Sequence, residues 1–498
     1  MMIYNKYKRI WLLTLAVALF VSCTEDYDIP VEDEIPLTSG TADFSKYVSL
    51  GASFTAGFSD GALFMATQNN SFPNLLAGAF AKTGGGEFTQ PLTNDNFGGL
   101  LLGGVQIQNP RLYFTGEGIA VLDATPTTEV TNVNPGPYNN MGVPGAKSFH
   151  LLANGYGNVA GVSLGLANPY FARMASSPNA SMLEDAASQA GTFFTLSEIG
   201  GNDVLSYATS GGSGIDQTGN IDPSTYGPND ITDPNVFAQV FLASTDALTA
   251  NGAKGVIANL PYITSLSHFT TVPFNPVPLD AATAGALNAA FAEYNGGLLQ
   301  VEGLGLITAT ERAARTINFV AGQNAVTMID EYLTDLSALG LPSYRHATSA
   351  DLLVLPSSSF IGTTVNGNPQ LINGVSVPLE DKWILSPQEQ QAISTATDAY
   401  NATIEAVANA KGLAFVDFKS LLNEASSGGV LFDNFNMTTQ LVFGGLVSLD
   451  GIHLTTRGYA LMANKFMEAI DVTYGSNFQA SSSMLKAEDY TTVYPEGL

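Results

Sequence analysis

A serine that follows an apolar run, in a turn flanked by glycines, can hold its hydroxyl clear of the backbone. Ser53 is placed in that way, in Gly51-Ala52-Ser53-Phe54-Thr55-Ala56-Gly57 after Tyr47-Val48-Ser49-Leu50. A serine hydroxyl is a poor nucleophile until a base removes its proton, and the base needs a third group to fix its tautomer. Asp450-Gly451-Ile452-His453-Leu454-Thr455, near the C-terminus, supplies both. In a loop, a spacing of three with glycine between lets carboxylate and imidazole turn to one side, so Asp450 holds His453 while the other ring nitrogen faces Ser53. Two more segments carry glycine turns: Met141-Gly142-Val143-Pro144-Gly145-Ala146 and Ile199-Gly200-Gly201-Asn202-Asp203. Together these types suit acyl transfer through a covalent serine intermediate.

Competing motifs are weaker. Gly161-Val162-Ser163-Leu164-Gly165 matches a G-x-S-x-G elbow, but that elbow needs a strand before it, and Asn154-Gly155-Tyr156-Gly157-Asn158 reads as a loop. His150, His268 and His346 stand alone in the sequence, without a nearby carboxylate or second histidine. No H-E-x-x-H, C-x-x-C, P-loop or dinucleotide fingerprint is present, so the sequence points to no metal or cofactor. Asp417, after an apolar run, reads as a structural residue at a strand end.

The elements that must position these groups read as α/β. Lys46 to Leu50, Thr192 to Ile199, Ala253 to Pro261 and Gly412 to Asp417 are short apolar runs bounded by Gly, Pro and Asn, as buried parallel strands are. Val236 to Thr249 and Pro387 to Ala410 read as helices between them, the second closed by Lys411-Gly412. A last helix is expected at Ala460 to Ile470. Alternation of this kind predicts a doubly wound parallel sheet.

The N-terminus sets a compartment. Lys6, Lys8 and Arg9 precede the apolar run Ile10 to Val21, which is too short to span a bilayer and reads as a signal peptide over residues 1–22. Phe20-Val21-Ser22-Cys23 resembles a bacterial lipobox; the resemblance implies cleavage before Cys23, the one cysteine, and lipidation of its thiol. Glu25-Asp26-Tyr27-Asp28 resembles the export signal of Bacteroidetes lipoproteins bound for the outer face of the outer membrane; an ordinary solvated tether remains the alternative. Residues 23–43 are acidic and poor in large apolar side chains and read as a linker.

Without the leader, 15 Lys+Arg face 44 Asp+Glu, a net charge of −29. Such a surface repels nucleic acid and anionic membranes. Yet 45% of residues are hydrophobic, enough for a large core. Residues 44–478 read as one domain with insertions near 58–135, 206–235 and 262–386, and 479–498 as a tail. A helix is expected at Asp280 to Leu299. Insertions this long are lids or binding walls, or else plain cover for the sheet.

The four segments, in this order, resemble the four conserved blocks of the SGNH, or GDSL, hydrolase family of esterases and lipases. The resemblance implies a three-layer α/β/α, flavodoxin-like fold with Ser53 at the carboxyl end of the first strand. It implies a Ser53, His453, Asp450 triad, and an oxyanion hole made of the Ser53 amide, the Gly145 amide and the Asn202 side chain. Glycine suits position 145 because backbone must approach the substrate closely there. The family's first block usually reads Gly-Asp-Ser, and here Ala52 replaces the aspartate. The implied substrate is a small-molecule or lipid carboxylic ester, with no cofactor. A carbohydrate O-acetyl esterase of the same fold and a non-catalytic binding lipoprotein remain open alternatives.

Overall fold

The computed structural model describes residues 35–498; the stretch read as a signal peptide, Cys23 and the acidic stretch after it lie outside the described residues. Residues from Leu37 onward form one compact unit. At its centre is a five-stranded parallel sheet: β1 (Tyr47–Gly51), β2 (Asn140–Gly142), β3 (Phe193–Leu196), β4 (Lys254–Ala258) and β5 (Ala414–Val416), in the spatial order β5-β4-β3-β1-β2. Seven helices matter for the site: α1 (Ser53–Ala56), α2 (Phe72–Ala81), α3 (Met182–Ala187), α4 (Gly201–Thr209), α5 (Pro234–Thr249), α6 (Pro387–Lys411) and α7 (Thr456–Tyr474).

Alternation along the strands feeds two cores, one on each face of the sheet. Val48, Leu50, Phe194 and Ile257 pack with Met182 of α3, Phe237 and Phe241 of α5, and Tyr400 and Ile404 of α6. Tyr47, Phe193, Val256 and Ala414 pack with Phe72 and Phe80 of α2 and Phe466 and Ile470 of α7. The molecule is thus mixed α/β with helices on both sides of a parallel sheet. Several two-stranded antiparallel sheets decorate it.

Helix ends follow capping chemistry. Asp233 accepts from the amides of Asn235 and Val236 to start α5. Ser386 and Glu389 form a capping box on α6, which ends at Gly412 with φ +62°. Three extents differ from the sequence reading. The run Thr192 to Ile199 is strand only over Phe193–Leu196, because Glu198 takes a left-handed φ of +50°. The helix expected at Asp280 to Leu299 is two helices, Ala281–Ala290 and Ala292–Gly303, meeting at Phe291, whose ψ is 2°. β2, within a stretch read only as a turn, is a strand.

The segment 262–386 builds a core of its own, from residues such as Leu287, Phe291, Phe319, Val326, Met328 and Leu353. Arg345 bridges Asp330 and Asp351 inside it. Residues 479–498 fold back: Arg457 donates to the carbonyls of Ala487 and Tyr490, and the Tyr494 ring meets that of Phe64 edge-on.

Candidate active site

β1, β2 and β3 end level with one another. Leu50 pairs with both Met141 and Leu196, and Gly51 pairs with Gly142. The three loops that follow therefore leave the sheet side by side. This is also where the chain changes direction across the sheet, since β2 and β3 flank β1 on opposite sides, and such a switch opens a crevice beyond the strand carboxyl ends. The loops that carry Ser53, Gly145 and Asn202, far apart in sequence, therefore leave the sheet at one edge.

Ser53 is the first residue of α1 and is 7% exposed. Among the described residues neither its hydroxyl nor its N–H has an internal hydrogen bond. A first-turn N–H has no intrahelical acceptor, so it is free to donate elsewhere. Gly142 lets β2 approach the turn: a Cβ there would lie 2.3 Å from the Ala56 nitrogen. Asn140 Nδ2 donates to the Thr55 carbonyl and fixes the same contact.

Asn202 lies in the first turn of α4. Its amide donates to the Ala146 carbonyl at 2.9 Å, which leaves the second amide proton uncommitted and ties α4 to the loop that carries Gly145. Asp203 strengthens the link by accepting from the Ser148 amide at 2.8 Å and from the Ser148 hydroxyl. Gly145 is exposed, and its N–H makes no internal hydrogen bond among the described residues.

Asp450 and His453 are in direct contact, with His453 Nδ1 2.7 Å from Asp450 Oδ2. The carboxylate also accepts from the amides of Ile452, His453 and Gly61, each at 2.9 Å, and from the Ser448 hydroxyl at 3.2 Å. Burial alone would raise its pKa, but the imidazole and these donors hold it well below the usual carboxylate range. The pair is stitched to the chain just after α1. Ser59 Oγ donates to the Leu454 carbonyl, the Tyr459 hydroxyl to the Phe58 carbonyl, and the Asp60 amide to Ser448 Oγ. The rings of Phe54 and Phe58 lie 5.7 and 4.5 Å from that of His453. His453 therefore packs on residues that follow Ser53 in the chain, and no direct hydrogen bond joins the two side chains.

A cavity of about 110 Å³ opens beside Ser53, lined by Ser53 and Asn202 and by Leu205, Leu260, Ile263, Leu421 and Leu461. Its wall is almost wholly apolar. Gly145 and His453 do not line it, whereas Ile452 and Leu454, on either side of the histidine, do. Ile263 and Leu266, the first residues of the long insertion, also form wall.

Three residues of the site carried little or no signal in the sequence. Glu198 sends its carboxyl under the turn that carries Ser53, accepting from the amides of Ala52 and Thr55 at 2.7 and 2.8 Å. Its mark in the sequence was a lone carboxylate in an apolar run. Asp60 accepts from the Leu449 amide beside Asp450, and burial pushes it up to about 7. His268, read from the sequence as standing alone, does not: its amide donates to the Gly451 carbonyl, and its Nδ1 lies 3.3 Å from the Asp450 carbonyl. Burial lowers its pKa. An insertion brings it there, so no local spacing announced it.

The remaining candidates are placed elsewhere. Ser163 is exposed at the end of a short helix, Val159–Val162, with no strand before it. His150 stacks on Tyr156 and accepts from the Lys147 amide. His346 accepts from the Asn318 amide. Asp417 caps the helix Phe418–Ser427 and accepts from Asn259. Among the described residues no three His, Cys, Asp or Glu side chains gather as a metal site. No helix among them is long and apolar enough to cross a membrane.

No protein-family model, curated protein or solved structure matches the chain.

Proposed function

We propose that the protein is a serine esterase or lipase of the SGNH type, which hydrolyses carboxylic esters through a Ser53, His453, Asp450 triad and an acyl-enzyme. The observation that carries this reading is the Asp450–His453 pair, held against the chain that leaves an unpartnered Ser53 hydroxyl at the mouth of an apolar cavity. Neutral His453 would take the serine proton as Ser53 attacks the ester carbonyl, and would return it to the leaving alcohol. Asp450 would keep Nδ1 protonated, so that Nε2 is the basic nitrogen. The tetrahedral oxyanion would be met by the Ser53 amide, the Gly145 amide and the free proton of Asn202 Nδ2. The spatial strand order, with the second strand outermost beside the first and the third to fifth following on the other side, supports the flavodoxin-like arrangement of that family.

The apolar wall supports an acyl chain as the group bound next to Ser53. A cavity of about 110 Å³ takes a chain of a few methylenes; a dry cavity of ~150 Å³ holds benzene. Each buried methylene is worth about 0.8 kcal/mol, or roughly fourfold in kcat/KM, until the cavity is full. A fluorophosphonate probe and a series of p-nitrophenyl esters from acetate to palmitate test the reading. Labelling at Ser53, with kcat/KM rising from acetate and then levelling, is the expected result. A preference for acetate would favour the carbohydrate O-acetyl esterase. Neither labelling nor hydrolysis in a folded sample would favour the binding lipoprotein.

We further propose anchoring through lipid on Cys23 at the outer membrane, with ester substrates and no nucleic-acid partner, in keeping with the acidic charge. Cys23→Ser should move the protein out of the membrane fraction, and retention there would overturn the anchor.

A further inference from the structure

We propose that Glu198 is the positioning residue of the nucleophile turn: its carboxyl caps α1 in place of the side chain that Ala52 lacks, and so aims the Ser53 hydroxyl and amide. This rests on Ser53 being the nucleophile.

The first turn of a helix presents amides that need an acceptor, and the residue before it usually supplies one from an Asp, Asn, Ser or Thr side chain. Here that residue is Ala52, fully buried, with only a methyl group. Glu198 Oε1 does the work from across the sheet edge. It takes the Ala52 amide and the Thr55 amide, which bracket Ser53 on both sides. Gly51 makes the room, since a Cβ there would lie 2.7 Å from Glu198 Oε1.

The arrangement is costly in three ways at one residue. Glu198 is a non-glycine residue at φ +50°, a left-handed conformation that side chains with a Cβ rarely adopt. Its carboxyl is buried. Its second oxygen, Oε2, makes no well-formed hydrogen bond: the buried hydroxyls of Thr55 and Ser197 stand near enough to the carboxyl to favour its charged form but fall short of good hydrogen-bond geometry. A folded core alone would favour an apolar side chain there. Strain and unpaired polarity of this kind persist where they set a geometry that function needs. Burial also pushes the Glu198 carboxyl up to about 7. The titratable groups that face it are Tyr47 of β1 and Tyr459 of α7, both held protonated by burial. Near neutral pH the carboxyl is divided between its two forms, and in either one Oε1 can accept from the two amides. Glutamine keeps that acceptor, and alanine removes it.

The test compares the full chain with Glu198→Ala, Glu198→Gln and the double variant Glu198→Ala/Ala52→Asp. Hydrogen exchange of the Ala52 and Thr55 amides is read first, since it does not depend on catalysis. We expect these amides to be protected in wild type and Glu198→Gln, and to exchange freely in Glu198→Ala while the rest of the sheet is unchanged. Per site titrated by fluorophosphonate, kcat for an ester should fall about 10²-fold in Glu198→Ala, with KM within about threefold, the size of loss that a small misplacement causes. Glu198→Gln should stay within about tenfold of wild type. Asp at position 52 should recover at least about tenfold of the loss by capping Thr55 itself. Unchanged exchange in Glu198→Ala, or unchanged kcat per titrated site, would overturn the proposal. Loss of protection in a protein whose wild type neither labels nor turns over would leave Glu198 holding the turn and remove the hydrolase reading instead.

Discussion

Asp450→Asn exchanges one carboxylate oxygen for a donor, and the surroundings decide which. The Oδ1 position accepts from the Ile452 and His453 amides and the Ser448 hydroxyl, and the Oδ2 position from His453 Nδ1 and the Gly61 amide. The amide oxygen keeps the three-donor side. The new NH₂ then faces His453 Nδ1 and the Gly61 N–H. His453 answers by moving its proton to Nε2, the nitrogen that would have to receive the proton of Ser53. The base is thereby lost while the loop keeps its shape. Loss of the correct tautomer costs about 10⁴ in kcat in a serine triad, or about 5.4 kcal/mol at 1.36 kcal/mol per decade. The Gly61 amide loses its acceptor, but Gly61 is exposed and water can take that place, so stability should change by less than about 1 kcal/mol. Single-turnover and steady-state hydrolysis of a p-nitrophenyl ester, with circular dichroism and a denaturant melt on the same sample, measure both numbers. A folded Asp450→Asn enzyme within tenfold of wild type would refute the reasoning, because it would mean that His453 does not act through Asp450.

Asn202→Ala removes a donor whose other proton is fixed on the Ala146 carbonyl, so kcat should fall about 10²–10³-fold with KM little changed; an unchanged kcat would make Asn202 only a tie between α4 and the Gly145 loop. Leu205→Trp fills the cavity beside Ser53. The butyrate-to-acetate ratio of kcat/KM should then drop by about 15-fold, the worth of two methylenes, and an unchanged ratio would place the acyl chain elsewhere. Asp60 sits in the fold as an acid raised from near 4 to about 7, so the stability it contributes is complete below its unfolded pKa and is lost as pH rises through about 7. Urea melts at pH 4.5 and 8 should show wild type losing more stability over that interval than Asp60→Asn, by roughly 1–3 kcal/mol. Equal losses would show that Asp60 is not held protonated.

Much of the site was legible because its pieces are local. Asp450 and His453 are three residues apart in one loop, so spacing alone let them meet, and the structure joins them at 2.7 Å. Ser53 follows an apolar run that is buried at every position, as a central strand must be, and the turn after it is short because glycine stands at both ends. The alternation of apolar runs with long capped helices likewise announced a parallel sheet before any contact was known. The acidic charge and the leader-like N-terminus are properties of composition and order, and need no fold.

What remained was set by distance along the chain. The level ends of β1, β2 and β3, which bring the loops that carry Ser53, Gly145 and Asn202 to one edge, depend on strand register, and register is fixed only when both faces of the sheet find their helices. Glu198 reaches Ala52 and Thr55 across more than 140 residues of sequence, through a left-handed turn that no propensity favours. Asp60 and His268 arrive beside Asp450 from two distant parts of the chain, one from the loop after α1 and one from the long insertion. The sequence by itself determined which residues could do the chemistry, because reactive types and short spacings are written in it directly. Only the tertiary structure decided which buried carboxyls stand beside them, because the desolvation and hydrogen bonds that set a carboxyl's charge come from partners hundreds of residues away.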